Sequence, residues 1–314
     1  MSRNVANQIA QDYEGSAYYK RHHGQFGKIC AYNQIVIFLW FIGHQTASFQ
    51  DISDRFNISL SSLEKIIQKI SVYLSNRAPQ VICWPNDEEK ERSEEDFRTN
   101  GFPNIIGAID GSHIKIDKPE EDPDSYRGRN KFYSIHIQAV CDRNCKILDV
   151  LIGYPGSVHD SRVFRNSTLS QTLAEKCGQY HILGDSGYPL MPNLLTPFRD
   201  RGQLTNIQSN YNVQLSKNRY VIEHCFGILK QKFRQLYHCK LRKVESIVHL
   251  IRAACVLHNL ALEDDFNVEE EEDQEAGAAA NPQEDDVDDE DLDGDRNAQG
   301  HRLQIANMLY INDN

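Results

Sequence analysis

The chain has 314 residues, 40% hydrophobic and 25% charged, a balance that excludes a fibre or a wholly unstructured polymer and fits an ordinary globular protein. The net charge of -11 conceals an asymmetry: 18 of the 45 acids fall in residues 263–295, which hold no Lys or Arg, so the rest carries 34 bases against 27 acids. The body is mildly basic and one segment is strongly acidic. The longest apolar run, IVIFLWFI at 35–42, has eight residues, against about 20 for a bilayer-spanning helix. With no secretory layout in MSRNVANQIAQDYEG, the expectation is an intracellular chain without a membrane span. Eight scattered cysteines, only Cys141 and Cys145 being close, predict reduced and mostly buried thiols.

In chain order, residues 1–97 read as a helical region. Apolar residues recur at three and four positions, as Ile35, Phe38, Leu39 and Ile42, then Leu63, Ile66, Ile67 and Ile70. FQDISDRFNISLSSLEKIIQKISVYL predicts two helices around a turn at Asn57-Ile58, with Ser59 as N-cap. This is helix-turn-helix spacing, either a DNA-reading pair with Ser61, Ser62, Lys65 and Lys69 outward or a plain helical hairpin. Residues 87–96, DEEKERSEED, predict a solvated linker.

From Gly101-Phe102-Pro103 the period turns strand-like. Short segments rich in Ile and Val, at 104–110, 113–116, 133–141 and 146–153, predict strands, with Asp142-Arg143-Asn144 a hairpin turn between the last two. Residues 160–176 predict a helix, 181–187 a buried strand ending in a turn, and 218–236 and 244–262 two further helices. Residues 98–262 thus form one α/β unit. Residues 263–300 predict a disordered acidic tail, since few apolar side chains remain to offset the ordering entropy, and 301–314 allow a short terminal helix.

Four acids stand where burial makes a carboxylate costly: Asp110 at the end of NIIGAID, Asp160 in VHDSRVF, Asp185 at the end of HILGD, and Glu223 in YVIEHCFGIL. If Asp110 and Asp185 end neighbouring strands of one sheet, they emerge at the same edge, and Glu223 can lie over it. Such an oxygen cluster suits Mg2+ or Mn2+, two of which activate water for in-line phosphodiester displacement. The competing readings are a turn at Asp110-Gly111, a helix cap at Asp160, and an ion pair of Glu223 with Arg219 or Lys230. Lys217, Arg219, Lys230, Lys232, Arg234, Lys240, Arg242 and Lys243 either neutralise DNA phosphates or form a solvated face.

The strings GFPNIIGAIDGSHIKI, GYPGSVHDSRVF, ILGDSGYPLMPNLLTPF and NRYVIEHCFGILKQKFRQL, in this order, resemble the DDE endonuclease domain of PIF/Harbinger transposases. The helical stretch before them is similar to that family's N-terminal helix-turn-helix region. The likeness covers about residues 33–262. It implies an RNase H-like fold, a mixed sheet flanked by helices. It also implies Asp110, Asp185 and Glu223 as catalytic metal ligands, with Asp160 a further acid at the metal site. The implied activity is divalent-metal-dependent DNA cleavage by a metal-activated water. The alternative is a domesticated transposase that binds DNA without cutting it. The resemblance further implies double-stranded DNA and a Myb/SANT-like DNA-binding protein as partners, and a nuclear location with the cytoplasm as a second compartment. Ser112 and His224-Cys225 depart from the family's usual residues without removing a carboxylate.

Overall fold

The structure, a computed structural model, describes residues 1–20, 29–128, 131–265, 294 and 296–312. Six helices come first: α1 (Arg3–Gly15), α2 (Ala17–Lys20), α3 (Ala31–Gly43), α4 (Phe49–Phe56), α5 (Leu60–Ser75) and α6 (Ala78–Val81). Local chemistry sets their ends. Ser48 and Asp51 form a capping box on α4, Asn57 stops it in the left-handed conformation (φ 49, ψ 54), and the Ser59 hydroxyl accepts from the Ser62 amide to start α5. Leu63, Ile66, Ile67, Ile70 and Leu74 form the buried stripe of α5.

Residues 87–96 are not a linker. They belong to α7 (Asp87–Thr99), which Asn86 and Glu89 start with a capping box. Three acids in its first turn favour the positive end of the helix dipole. Phe97 is buried, and the Ser93 hydroxyl donates to the Ile106 carbonyl at 2.9 Å, which ties the charged helix to the sheet. A composition that reads as solvated thus hides one anchoring face.

The sheet is six-stranded and mixed: β1 (Ile105–Ile116), β2 (Ser134–Cys141), β3 (Ile147–Pro155), β4 (His181–Leu183), β5 (Leu194–Leu195) and β6 (His238–Cys239). Its order is β3-β2-β1-β4-β5, with β6 on the far end of β1. β1 to β3 are an antiparallel meander, while β4 runs parallel to β1 and β5 to β4. The two strands expected at 104–110 and 113–116 are the single β1, which passes through Asp110-Gly111 without turning, because β2 pairs with it from Ala108 to Lys115. The turn expected at Asp142 is present, with the Asp142 carboxylate accepting from the Asn144 and Lys146 amides at 2.9 Å.

Helices cover the sheet. After α8 (Pro123–Tyr126), the predicted helix at 160–176 divides into α9 (Asp160–Arg165) and α10 (Thr168–Cys177), since Ser167 caps a new start by accepting from the Ser170 amide. The helix predicted at 218–236 begins earlier: α11 (Asn206–Lys232) opens on a capping box of Thr205 and Gln208, and the 3-10 turn Arg234–Leu236 follows it. Its 27 residues span about 40 Å at 1.5 Å each, enough to cross the whole sheet.

α12 (Val244–Asp265) packs against α5, β3 and α6. By length and composition its Val244–Leu262 segment is apolar enough to cross a membrane, and 61% of that window is buried inside the protein. The longest uninterrupted apolar run remains the eight residues 35–42, because Arg252 and His258 interrupt this helix.

α13 (Arg296–Asn312) packs on α11. Arg302 donates to the Thr196 and Pro197 carbonyls, and the Nε2 atoms of His181 and His301 lie 2.8 Å apart. The acidic tail expected at 263–300 falls mostly outside the described residues, and its ends are the close of α12 and the start of α13. Six of the eight cysteines are buried and all are free. One apolar cluster runs from Ile9 through α5, β1 and α12 to Leu309, and a smaller one, with Ile106, Leu148, Phe164 and Leu173, lies under α9 and α10. The whole is a mixed α/β arrangement consistent with an RNase H-like fold.

Candidate active site

Strand register explains how distant acids meet. β1 and β4 are parallel with Ala108 opposite Leu183. Two residues further along each chain stand Asp110 and Asp185, so both carboxylates leave the sheet at one edge. Among the described residues, no strand pairs with that side of β1 between Ala108 and Lys115, where β6 meets it, and α11 packs on β1.

Asp160, the first residue of α9, reaches the same place. A side chain built on Gly111 would put its Cβ 2.0 Å from Asp160 Oδ1 and 2.6 Å from His136 Nε2. Gly111 is therefore the residue that lets Asp160 lie against β1. At Gly187 a Cβ would lie 3.2 Å from Asp185 Oδ1 and 3.8 Å from Asp160 Oδ2, which sets Asp160 beside Asp185. The three aspartates share one pocket. Glu223, 42% exposed on α11, is joined to it through Arg219, whose Nη1 donates to Asp110 Oδ2 at 3.1 Å and Nη2 to Glu223 Oε1 at 2.5 Å.

The electrostatics follow from that crowding. Burial raises the Asp110 pKa above the usual carboxylate range, and Asp185 and Asp160 push it further against the pull of Arg219. Burial also raises Asp185, with Asp160 the next cause. Burial works against the Arg219 charge, but Asp110, Glu223 and Asp185 outweigh it and leave the guanidinium more basic than usual. Tyr188 is 1% exposed, and its hydroxyl has no hydrogen-bond partner. Burial first, then Asp160, Asp110 and Asp185, raise that phenol far above its ordinary value, which places it beside the same acids.

Sequence reasoning treated His136 only as part of a strand. It is 1% exposed and its Nε2 lies 2.6 Å from Asp160 Oδ1. A carboxylate only accepts, so the imidazole donates from Nε2. A titratable ring inside a strand with no other ionisable residue but its terminal Cys, SIHIQAVC, was the available signal. Tyr188 and Gly111 carried no such signal, because their roles rest on neighbours far along the chain. The basic residues also divide: Lys230 Nζ bonds Ser112 Oγ at 2.8 Å and the His113 carbonyl at 3.2 Å, while Lys240, Arg242 and Lys243 lie off α11, before α12.

All four acids supply hard oxygen donors, the three aspartates crowded together with like charge, and a buried phenol without a hydrogen-bond partner beside them; that donor chemistry fits a divalent cation. Among the described residues no three His, Cys, Asp or Glu side chains are drawn to ion-holding spacing. Arg219 occupies the charge-balancing position between Asp110 and Glu223, and His136 donates to Asp160.

The sequence signature of the DDE superfamily endonucleases matches residues 109–259. The chain is 32% identical over 232 residues to "Putative nuclease HARBI1" of Bos taurus and 31% over 234 residues to that of Homo sapiens, each alignment covering 72% of this chain and 66% of the relative. It is 29% identical over 237 residues to "Protein ALP1-like" of Arabidopsis thaliana, covering 69% of this chain and 57% of that one. The chain thus spans less than two thirds of the length of these relatives. No solved structure matches it. With Asp110, Asp160, Asp185 and Glu223 all inside the matched segment, the chain carries a DDE superfamily endonuclease domain and is related to the nucleases derived from Harbinger transposases.

Proposed function

We propose that the protein is a divalent-metal-dependent DNA endonuclease that hydrolyses phosphodiester bonds. The observation that carries this reading is the parallel register that brings Asp110 and Asp185 to one sheet edge, with Asp160 packed between β1 and the loop after β4. Asp110, Asp160, Asp185 and Glu223 would hold Mg2+ or Mn2+. When bound, such an ion polarises water and balances charge on the leaving oxygen. The chain's own groups do the rest. His136 holds Asp160 in place, Arg219 bridges Asp110 and Glu223, and exposed Lys217 and Arg234 sit where phosphates approach the same helix and the turn after it. The α4–α5 pair is assigned to DNA contact through Ser61 and Lys65. A Myb/SANT-like partner, nuclear location and double-stranded DNA as substrate complete the reading.

A second reading is favoured by Arg219: a guanidinium already pairing Asp110 and Glu223 also describes a domesticated protein that keeps the fold and DNA binding without cleavage. Nicking of supercoiled plasmid by the full chain with Mg2+ or Mn2+ separates the two. Asp185→Asn, close in shape and lacking the charge, is expected to lose about 10³-fold or more in rate. Equal rates for the two proteins would reject the nuclease reading, and no nicking by either in the presence of DNA binding would establish the second.

A further inference from the structure

The exposed face of α11 beside Glu223 is aromatic as well as basic. The other large rings of this helix and of its end are buried: Tyr211 is 0%, Phe226 6% and Phe233 3% exposed. Tyr220 is 54% exposed, and His224, one turn later, is exposed as well. Packing of α11 on the sheet therefore does not account for either ring.

The two rings stand nearly parallel and apart. Their centroids are 6.4 Å from each other and their planes 24° from parallel. Residues four apart rise about 6 Å along a helix, so the separation is that of one turn of backbone. It lies near the outer limit for rings that pair with each other. It is close to two stacking steps of about 3.4 Å each, the space one planar group takes up when it lies between two others.

The surroundings say what such a group is attached to. Lys217, exposed, stands one turn before Tyr220. Arg219 and Glu223, which adjoin the two rings in sequence, belong to the acid site. At Gly227, the next turn after His224, an added Cβ would meet nothing. Glycine is among the poorest helix formers, and no neighbour among the described residues excludes a side chain there; the bare backbone leaves room for close approach from outside. A cation, two spaced rings and an open stretch of backbone beside the acids suit one strand of nucleic acid with a base out of its stack.

We infer that Tyr220 and His224 form a clamp for one unpaired base of the DNA strand at the acid site, with the base between the two rings and Lys217 on the adjoining phosphate. The clamp rests on the nuclease reading for what the strand is doing there, not for the binding itself. His224 is one of the positions where this chain departs from the Harbinger pattern, so half of the clamp is particular to it.

Fluorescence anisotropy of the full chain without divalent metal, so that no cleavage intervenes, compares a short single strand, its perfect duplex, and that duplex with one unpaired base. 2-Aminopurine at the unpaired position reports stacking by loss of its emission. The native chain is expected to bind the single strand and the interrupted duplex more tightly than the perfect duplex, and to quench the probe. Tyr220→Ala is expected to weaken the first two about tenfold, or about 1.4 kcal/mol, to abolish quenching, and to leave the perfect duplex within about twofold. Tyr220→Phe should bind as the native chain does. His224→Ala should weaken binding severalfold and His224→Phe, which keeps a flat ring, should restore it. Both positions are exposed, so melting temperatures should not change. Equal losses for all three DNAs, unchanged binding in Tyr220→Ala, or a fall in mass by light scattering that assigns the rings to a second copy would overturn the inference. Quenching without nicking in Mg2+ would reject the nuclease reading and keep the clamp, whereas nicking by a native chain that does not quench would reject the clamp and keep the nuclease.

Discussion

Two buried carboxylates, Asp142 in the β2–β3 turn and Asp110 at the sheet edge, carry raised pKa values for different reasons. Burial lifts Asp142 to about 6, against the pull of the Asn144 and Lys146 amides that bond it. The hairpin meets its needs mostly locally: two backbone donors and the Lys146 charge hold the carboxylate, and Asp96 raises it only as the last of the causes. Burial lifts Asp110 as well, but there other carboxylates, Asp185 and Asp160, are the next causes. The hairpin uses an acid as a turn, whereas the sheet edge gathers acids that repel one another, a state that an added cation would relieve. Burial by itself does not mark a functional acid; unrelieved like charge does.

The largest expected break in this contrast comes at Gly111. Gly111→Ala drives a Cβ into Asp160 and His136, and misplacing Asp160 by about 1 Å is expected to cost about 10²-fold in DNA cleavage. Strain of about 1–3 kcal/mol should appear with it in urea melts. A fully active variant would show that Asp160 needs no fixed seat.

His136 comes next. His136→Ala is expected to lower metal affinity and cleavage by about 10- to 100-fold, because Asp160 loses the donor that orients it. His136→Gln, which can still donate, should recover most of both. Equal loss in the two variants would point to packing in β2 instead.

The smallest effect belongs to the hairpin and concerns stability alone. A pKa raised on folding, from 3.8 to about 6 at Asp142, means that the native state holds the proton more tightly. That contribution is complete below pH 3.8 and fades as pH rises through 6, a loss of up to about 2–3 kcal/mol. Asp142→Asn keeps the acceptor without the charge. It should be more stable than the native chain at pH 7 by up to about 2 kcal/mol and nearly equal at pH 4, with cleavage unchanged. A stability difference that does not vary with pH would remove burial as the cause.

The residues show why parts of this were legible. Alternating and continuous apolar runs marked β2 and β3, three-and-four spacing marked α5 and α12, and Ser59 announced its helix, because each signal lies within a turn or two of chain. α7 was missed because its anchors, Ser93 and Phe97, are few among charges. The early start of α11 was missed because its first turns are polar and the capping pair Thr205 and Gln208 lies outside the apolar pattern.

The sequence by itself determined which acids were available, the order of strands and helices that carries them, and the two-residue step that follows Ala108 and Leu183. Only the tertiary structure decided that Arg219 bridges to an acid 109 positions away, that His136 holds Asp160, and that Gly111 makes room for both. The physical reason is range: periodicity and capping act between neighbours in the chain, whereas charge and excluded volume act between whatever the strand register brings within a few ångströms.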